Sequence, residues 1–278
     1  MKLACMTLPY SQFSFERALD GIARAGFRYV GFGWPHEGKD VPDETGEGTV
    51  PELQRLFAAY KLEPVMLSGF RQFAPGQPLE RALRCLQTAK DLGIKEVLSA
   101  GTWNYRAFPD EPLPEADAER MHREYVAQYK QVGAMAEALD MIVTVKPHSG
   151  NTATAAHIMQ TLRQIGSPNI RAGYDPGNVH YYEGIDAEAD FRQIAGQAYS
   201  IIAKDHRGAK ADLDFPVPGT GDVGFPGMFR MLRAAGFDGT VMVERVDGPN
   251  DPELIDRRLS ETRRSLRQLL VNAGFEPD

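Results

Sequence analysis

Short apolar runs alternate with amphipathic stretches along almost the whole chain. The apolar runs have the length and composition of buried strands, and they cover residues 2–8, 29–34, 63–69, 96–101, 142–147, 170–175, 199–204 and 239–245. Strands that alternate with helices form parallel sheets, and eight such units favour a closed barrel over an open, doubly wound sheet. The pattern therefore predicts an α/β fold, a single (β/α)8 TIM barrel that spans residues 1–278.

The stretches between the apolar runs have the period of helices that pack on a sheet. Residues 79–92, for example, place Leu79, Leu83, Leu86 and Ala89 on one face. We expect this face to cover the barrel.

Composition and motifs argue against several classes of function. The net charge of -7 argues against a nucleic-acid partner, because phosphate binding needs a basic surface. No run approaches the roughly 18 apolar residues of a membrane span, and the first residues do not form a signal peptide. No G-x-G-x-x-G follows the first strand, and the isolated Gly219-Thr-Gly221 is weak evidence, so we predict no nucleotide cofactor. Cys5 and Cys85 are too few for a disulfide framework; both are expected in the core of a cytoplasmic protein.

Polar residues occupy one face of the fifth predicted strand. Alternation puts Thr144, Lys146 and His148 on that face and Val143 and Val145 on the other. The valines should meet the helices, so the polar face points into the barrel. A buried lysine needs an anionic partner or a substrate.

Strands six to eight also end in polar residues, and the carboxyl ends of barrel strands carry active sites. The sixth ends in Asp175-Pro-Gly-Asn178, where Asp175 either caps a turn or faces the site; His180 follows closely. The eighth places Glu244 in phase with Met242. The seventh ends in residues that either bind an oxyanion or form a solvated loop: Lys204, His206 and Arg207.

Large aromatic residues follow three other strands. Trp34, Phe70 and Trp103 stand at or just past the ends of the second, third and fourth apolar runs. Each alone is consistent with core packing. Three at equivalent barrel positions indicate an apolar wall for a small carbohydrate, whose C–H faces pack on aromatic rings.

At these residues the chain resembles the xylose isomerase-like TIM-barrel family of sugar isomerases and epimerases, which also includes inosose dehydratases and endonuclease IV. The resemblance covers nearly the whole chain. The matching motifs are Asp175-Pro-Gly-Asn178, Lys204-Asp205, Gly219-Thr-Gly-Asp-Val-Gly-Phe225 and Phe237-Asp-Gly-Thr-Val-Met-Val-Glu244.

The resemblance implies one divalent metal, held by Glu, Asp, His and Glu at the ends of strands five to eight. Asp175 and Glu244 match two ligands, whereas Lys146 and Ile202 replace the other two. The side chains left for an altered manganese, zinc or magnesium site are Asp175, Glu244, His148 and His206. The competing hypothesis is that the Lys146 ammonium replaces the cation, so that metal binding is weak or absent.

The resemblance also implies a carbohydrate isomerase, epimerase or lyase that abstracts a proton beside a carbonyl. Glu244 would be the base, with Lys146, His148 and Asp175 as its partners. The remaining residues predicted to bind substrate are Trp34, Phe70, Trp103, Asn178, His180, Lys204, His206 and Arg207. A non-catalytic sugar-binding barrel and an endonuclease IV-type phosphodiesterase are the alternatives, and a homo-oligomer stays open.

Overall fold

The computed structural model describes residues 1–277 and contains the closed barrel that the hydrophobic pattern predicts. Its strands are β1 (Lys2–Met6), β2 (Tyr29–Phe32), β3 (Glu63–Ser68), β4 (Glu96–Ala100), β5 (Tyr105–Ala107), β6 (Glu111–Pro112), β7 (Ile142–Lys146), β8 (Ile170–Tyr174), β9 (Ala198–Ile202) and β10 (Thr240–Val243). Eight of them are parallel and close in the order β1-β2-β3-β4-β7-β8-β9-β10, with β10 paired to β1. The pair β5 and β6 forms a separate antiparallel hairpin after β4.

Helices surround the barrel. They are α1 (Phe15–Arg24), α2 (Thr49–Tyr60), α3 (Leu79–Asp91), α4 (Glu115–Ala138), α5 (Ala155–Ile165), α6 (Pro176–Glu183), α7 (Ala187–Phe191), α8 (Phe225–Ala234) and α9 (Pro252–Asn272). Short 3-10 helices lie at Leu8–Tyr10, Gly150–Thr152 and Ala195–Gln197. Within residues 1–277, no helix has both the length and the apolar character that crossing a bilayer requires.

Alternation along each strand separates an outer core from a barrel interior. Val143 and Val145 lie in the outer core, which confirms the predicted orientation of β7. Met242 of β10 instead belongs to a layer inside the barrel. This interior apolar layer consists of Ala4, Met6, Tyr29, Val65, Met66, Leu98, Ile202 and Met242.

The predicted helical face of α3 is partly wrong. Leu83 is 42 % exposed, whereas Ala82 and Cys85 are buried. The residues that contact the barrel, Ala82, Cys85, Leu86 and Ala89, follow a helical spacing offset from that of Leu83. Cys5 and Cys85 are both buried and unpaired, as expected.

The Glu96 carboxylate lies inside the barrel near its amino-terminal end. Glu96 is 3 % exposed, and its Oε1 accepts hydrogen bonds from the Thr144 hydroxyl at 2.7 Å and the Ser200 hydroxyl at 2.5 Å. Burial raises the pKa of Glu96 to about 7, although the two hydroxyl groups oppose the shift. This carboxylate therefore titrates near neutral pH.

Glu96→Gln is expected to stabilise the protein above pH 7. The native state retains the Glu96 proton up to about pH 7, whereas the unfolded chain releases it near 4.5. The native state thus binds more protons in this window, so stability falls as pH rises through it, by up to about 3 kcal/mol. Glutamine keeps the acceptor oxygen without the charge.

Urea unfolding at pH 5 and pH 8 checks this expectation. The variant should gain most at pH 8 and little at pH 5, and exposed Glu52→Gln is the matched control. Equal stability of Glu96→Gln and the parent at pH 8 would contradict the assignment.

Candidate functional site

Two lysines and two carboxylates form a closed set of ion pairs at the carboxyl-terminal mouth of the barrel. Lys146 Nζ lies 2.8 Å from Asp175 Oδ2 and 2.6 Å from Glu244 Oε1. Lys204 Nζ lies 3.0 Å from Asp175 Oδ2 and 2.5 Å from Glu244 Oε2. All four residues are between 0 and 5 % exposed. We call Lys146, Asp175, Lys204 and Glu244 the salt-bridge ring.

The strand ends explain why these side chains meet. Lys146 is the last residue of β7, and Asp175 and Glu244 each follow directly after a strand. The chain leaves β9 earlier than predicted, because the Lys204 amide donates to the Ile202 carbonyl in a turn. Parallel strands bring all four ends to one mouth.

Asp175 also begins the next helix. Its Oδ1 accepts from the Asn178 amide at 3.0 Å, so Asp175 is the N-cap of α6, while Oδ2 accepts from both lysines. Both readings of Asp175 from the sequence thus apply to one side chain. Pro176 at the first helical position suits this start, since its missing N–H would have no partner there.

Lys204 uses all three of its N–H donors inside the protein. Besides the two carboxylates it donates to Asn178 Oδ1 at 2.9 Å. Asn178 Nδ2 in turn donates to the Pro147 carbonyl at 2.8 Å, which ties α6 to the end of β7. Lys204 is therefore held rigidly with no donor left for a ligand.

Lys146 is bonded less completely. Among residues 1–277 its Nζ has the two carboxylates as acceptors, and it lies 5.4 Å from the centroid of the Phe70 ring. An ammonium has three N–H groups. One N–H of Lys146 is thus left for a bound molecule.

The ion pairs shift the pKa values of two members of the ring. Burial alone would raise the pKa of Glu244, but the two ammonium groups outweigh it and hold that pKa well below the usual range. Burial lowers the pKa of Lys204, and Asp175 and Glu244 more than reverse this. Both groups are charged at neutral pH.

A cavity of about 420 Å³ opens above the salt-bridge ring. Lys146, Lys204 and Glu244 lie on its wall, whereas Asp175 is fully buried behind them. The other walls are mainly apolar and aromatic and include Leu8, Trp34, Phe70, Trp103, Tyr181 and Phe215. All three aromatic residues singled out from the sequence thus line one cavity. The Trp34 and Phe70 rings pack together with centroids 5.5 Å apart, whereas the Trp103 ring packs on His148.

His148 lies on the same wall, but its hydrogen bond goes to Tyr182 and not to the salt-bridge ring. Its Nε2 is 3.2 Å from the Tyr182 hydroxyl, and its ring packs on Trp103 with centroids 5.3 Å apart. Burial, and then the charges of Lys146 and Lys204, lower the pKa of His148 to about 4. His148 is therefore neutral at physiological pH.

Three residues predicted to bind substrate lie away from the cavity wall. His206 Nδ1 lies 2.9 Å from His180 Nδ1, and His206 Nε2 donates to the Asp212 carbonyl at 2.6 Å. Arg207 is exposed and pairs with Asp214 at 3.2 Å. For Arg207, the solvated-loop reading therefore fits the structure better.

The Gly219-Thr-Gly221 motif binds a carboxylate of the protein itself. Asp205 Oδ2 accepts from the amides of Gly219 and Gly221, both at 2.8 Å, and Oδ1 accepts from Val223 at 3.1 Å and His206 at 2.9 Å. A Cβ on Gly221 would come within 2.5 Å of Asp205 Oδ1. The loop is thus a nest of amides around an internal anion.

The residues at the mouth do not fit a divalent metal. Asp175 and Glu244 are already neutralised by lysines at hydrogen-bond distance, and Ile202 is buried in the interior apolar layer. His206 is bonded elsewhere. Within residues 1–277, no three His, Cys, Asp or Glu side chains are grouped to hold a metal ion.

Several residues of the wall were not predicted from the sequence, among them Tyr182 and Arg245. Arg245 follows Glu244 directly and forms a two-pronged ion pair with Asp247 at 2.5 and 2.9 Å. Its position at a strand end was a usable signal. Tyr182 lies on α6, and no sequence pattern places its hydroxyl beside His148.

Comparisons with known proteins agree with this architecture. A profile described as xylose isomerase-like TIM barrel matches residues 19–269. No curated protein sequence shows a significant match. A xylose isomerase domain protein from Alicyclobacillus acidocaldarius is 20 % identical with a TM-score of 0.76, and the match covers 99 % of this chain and 100 % of that one.

Two further solved structures have the same TM-score of 0.76. An L-ribulose 3-epimerase is 19 % identical, with 99 % of this chain and 96 % of that chain covered. The IOLI protein, solved with a bound zinc atom, is 14 % identical, with 98 % and 99 % covered. At these identities the likeness shows the fold alone.

Proposed function

The chain belongs to the xylose isomerase-like TIM barrel family, and from this premise we propose that it is a carbohydrate isomerase or epimerase that moves a proton at a carbon beside a carbonyl. The salt-bridge ring at the base of an aromatic cavity is the observation that carries the proposal. Sugar epimerases among the structural neighbours support the class of reaction.

Lys146 and Glu244 are the pair that meets the substrate. The spare N–H of Lys146 donates to the carbonyl oxygen, and Glu244 takes the proton from the neighbouring carbon. The C–H electron pair becomes the enediolate double bond, and the ammonium stabilises the negative charge on oxygen. Return of the proton to the former carbonyl carbon, with transfer of the hydroxyl proton from one oxygen to the other, gives isomerisation. Delivery of a solvent-derived proton to the opposite face of the same carbon, with release of the abstracted proton from Glu244 to solvent, gives epimerisation.

The remaining side chains position this pair. Lys204 and Asp175 fix the positions of Glu244 and Lys146, since their own hydrogen-bonding groups are used inside the protein. Trp34, Phe70 and Trp103 provide the apolar wall on which the C–H faces of the sugar pack. Neutral His148 supplies a second site for a proton, bonded to Tyr182.

One observation favours a second function, sugar binding without turnover. The ion pairs that hold the pKa of Glu244 low also make it a weak base. A substrate oxygen that takes a hydrogen bond from Lys146 weakens the pull on Glu244, and catalysis depends on that change.

Proton exchange in D2O separates the two functions. The protein is dialysed against EDTA and incubated with individual ketoses and aldoses, and loss of the C–H signal beside the carbonyl is followed by 1H NMR. We expect exchange and a new isomer with at least one sugar, at a rate that added Mn²⁺ leaves within about twofold because no step uses a metal. Saturation-transfer contacts from a sugar without exchange would indicate the binding function, and activity that returns only with Mn²⁺ would overturn the lysine-based mechanism.

A further inference from the structure

The salt-bridge ring is electrically neutral by itself. It contains two ammonium and two carboxylate groups, joined by four ion pairs of 2.5 to 3.0 Å. A divalent cation between the same two carboxylates would give the same net charge. The two arrangements are therefore alternatives, and charge decides between them because buried unpaired charge is costly.

The ammonium groups also fill the space between the carboxylates. Asp175 Oδ2 contacts both lysines, and each oxygen of Glu244 contacts one. A metal ion would have to displace at least one Nζ, and it would find no histidine from β9, whose inward position is Ile202. The ammonium groups thus oppose cation binding in two ways, because they fill the space between the carboxylates and neutralise their charge.

We propose that Lys146 acts, beside Lys204, as a built-in substitute for a divalent cation, and that the charge at position 146 decides whether the mouth binds a metal. Lys146→Glu changes the charge of the four side chains from 0 to about -2, since one ammonium is replaced by one carboxylate. A dication restores neutrality. The introduced carboxylate, Asp175 and Glu244 then offer oxygen ligands, which suit Mn²⁺.

Mn²⁺ titration of the full chain tests this inference, and it uses no substrate. Free Mn²⁺ is measured by electron paramagnetic resonance with the parent protein, Lys146→Glu and Lys146→Gln. Glutamine has the length of glutamate without its charge, so it is the matched control. We expect Lys146→Glu to bind one Mn²⁺ per chain roughly 100-fold tighter than either of the other two, and Mn²⁺ to raise its melting temperature.

Folding is followed by circular dichroism with and without Mn²⁺. A Lys146→Glu protein that folds only with Mn²⁺ supports the inference, because the ion then supplies the missing charge. Lys204→Glu makes the same change of charge from the other corner of the ring. The inference is overturned if neither Lys146→Glu nor Lys204→Glu folds in Mn²⁺. It is also overturned if Lys146→Glu binds Mn²⁺ no tighter than Lys146→Gln. Tight stoichiometric binding by the parent that Asp175→Asn abolishes would overturn it too.

This test is independent of the proposed reaction. If the parent epimerises no sugar but the parent and its variants bind Mn²⁺ as expected, the cation-substitute proposal stands and only the catalytic proposal is rejected. If the parent epimerises a sugar but the variants do not show the expected Mn²⁺ binding, the cation-substitute proposal is rejected. Proton transfer would then have to be explained by the other side chains.

Discussion

Lys146→Met is expected to reduce turnover by about 100- to 1000-fold while the barrel still forms. Methionine keeps the apolar stem beside Phe70 but removes the ammonium that polarises the substrate carbonyl. Asp175 and Glu244 then share one lysine, and breaking a buried pair in this way costs about 3–5 kcal/mol of stability. Turnover by the proton-exchange assay and the melting temperature are measured on the same preparation.

Lys204→Met is the informative comparison. It removes an ammonium from the same salt-bridge ring and also a bond to Asn178, so it should lose at least as much stability. Because Lys204 has no N–H left for a ligand, its variant should retain more turnover than Lys146→Met at a temperature where both are folded. Full turnover by folded Lys146→Met refutes the catalytic role, and equal losses in both variants refute the division of labour between the lysines.

Asp205→Ala is expected to lower the free energy of unfolding by about 3–5 kcal/mol. Asp205 is fully buried, and four backbone amides donate to its two oxygens. Alanine leaves these donors without an acceptor, and each bond to a charged group contributes about 1.5–3 kcal/mol, not additively. For a chain of this size the melting temperature should fall by roughly 10 °C.

Asp205→Asn serves as an intermediate variant and Asp214→Ala as the control for this prediction. Asparagine keeps one oxygen but turns an NH2 group towards two amide donors, so it should lie between the parent and alanine in stability. Asp214 makes an exposed ion pair with Arg207, worth about 0–1 kcal/mol. If Asp205→Ala were no less stable than Asp214→Ala, the amides would not depend on this carboxylate.

The barrel was predictable because its signal is repeated. Eight apolar runs and the helical segments between them agree on one architecture, so an error in any one of them changes little. The last residue of a strand is harder to predict from the sequence, since the final hydrogen bond of the strand depends on the neighbouring strand. β9 ends at Ile202, two residues before the predicted end, because the chain turns before Lys204.

The candidate site was predictable in part. In-phase positions at the ends of β7 and β10 point Lys146 and Glu244 inwards whatever the details of packing. The role of Lys204 was not visible, because it follows a turn whose direction the sequence does not give. His180 and His206 illustrate the same limit: both stand near strand ends, yet they bond to each other. Which polar residues meet is decided by loop conformation.

The interior apolar layer has a consequence for engineering. On β4, Leu98 lies between Glu96 and Ala100, which is paired in register with Lys146. Four residues of strand separate the two ends by about 13 Å, and mutational effects at such distances usually add. The neutral charge of the salt-bridge ring weakens the coupling further. We therefore expect changes at the two ends of the barrel to have additive effects on stability. Glu96→Gln should then provide a more stable host in which costly changes at the mouth can be studied above pH 7.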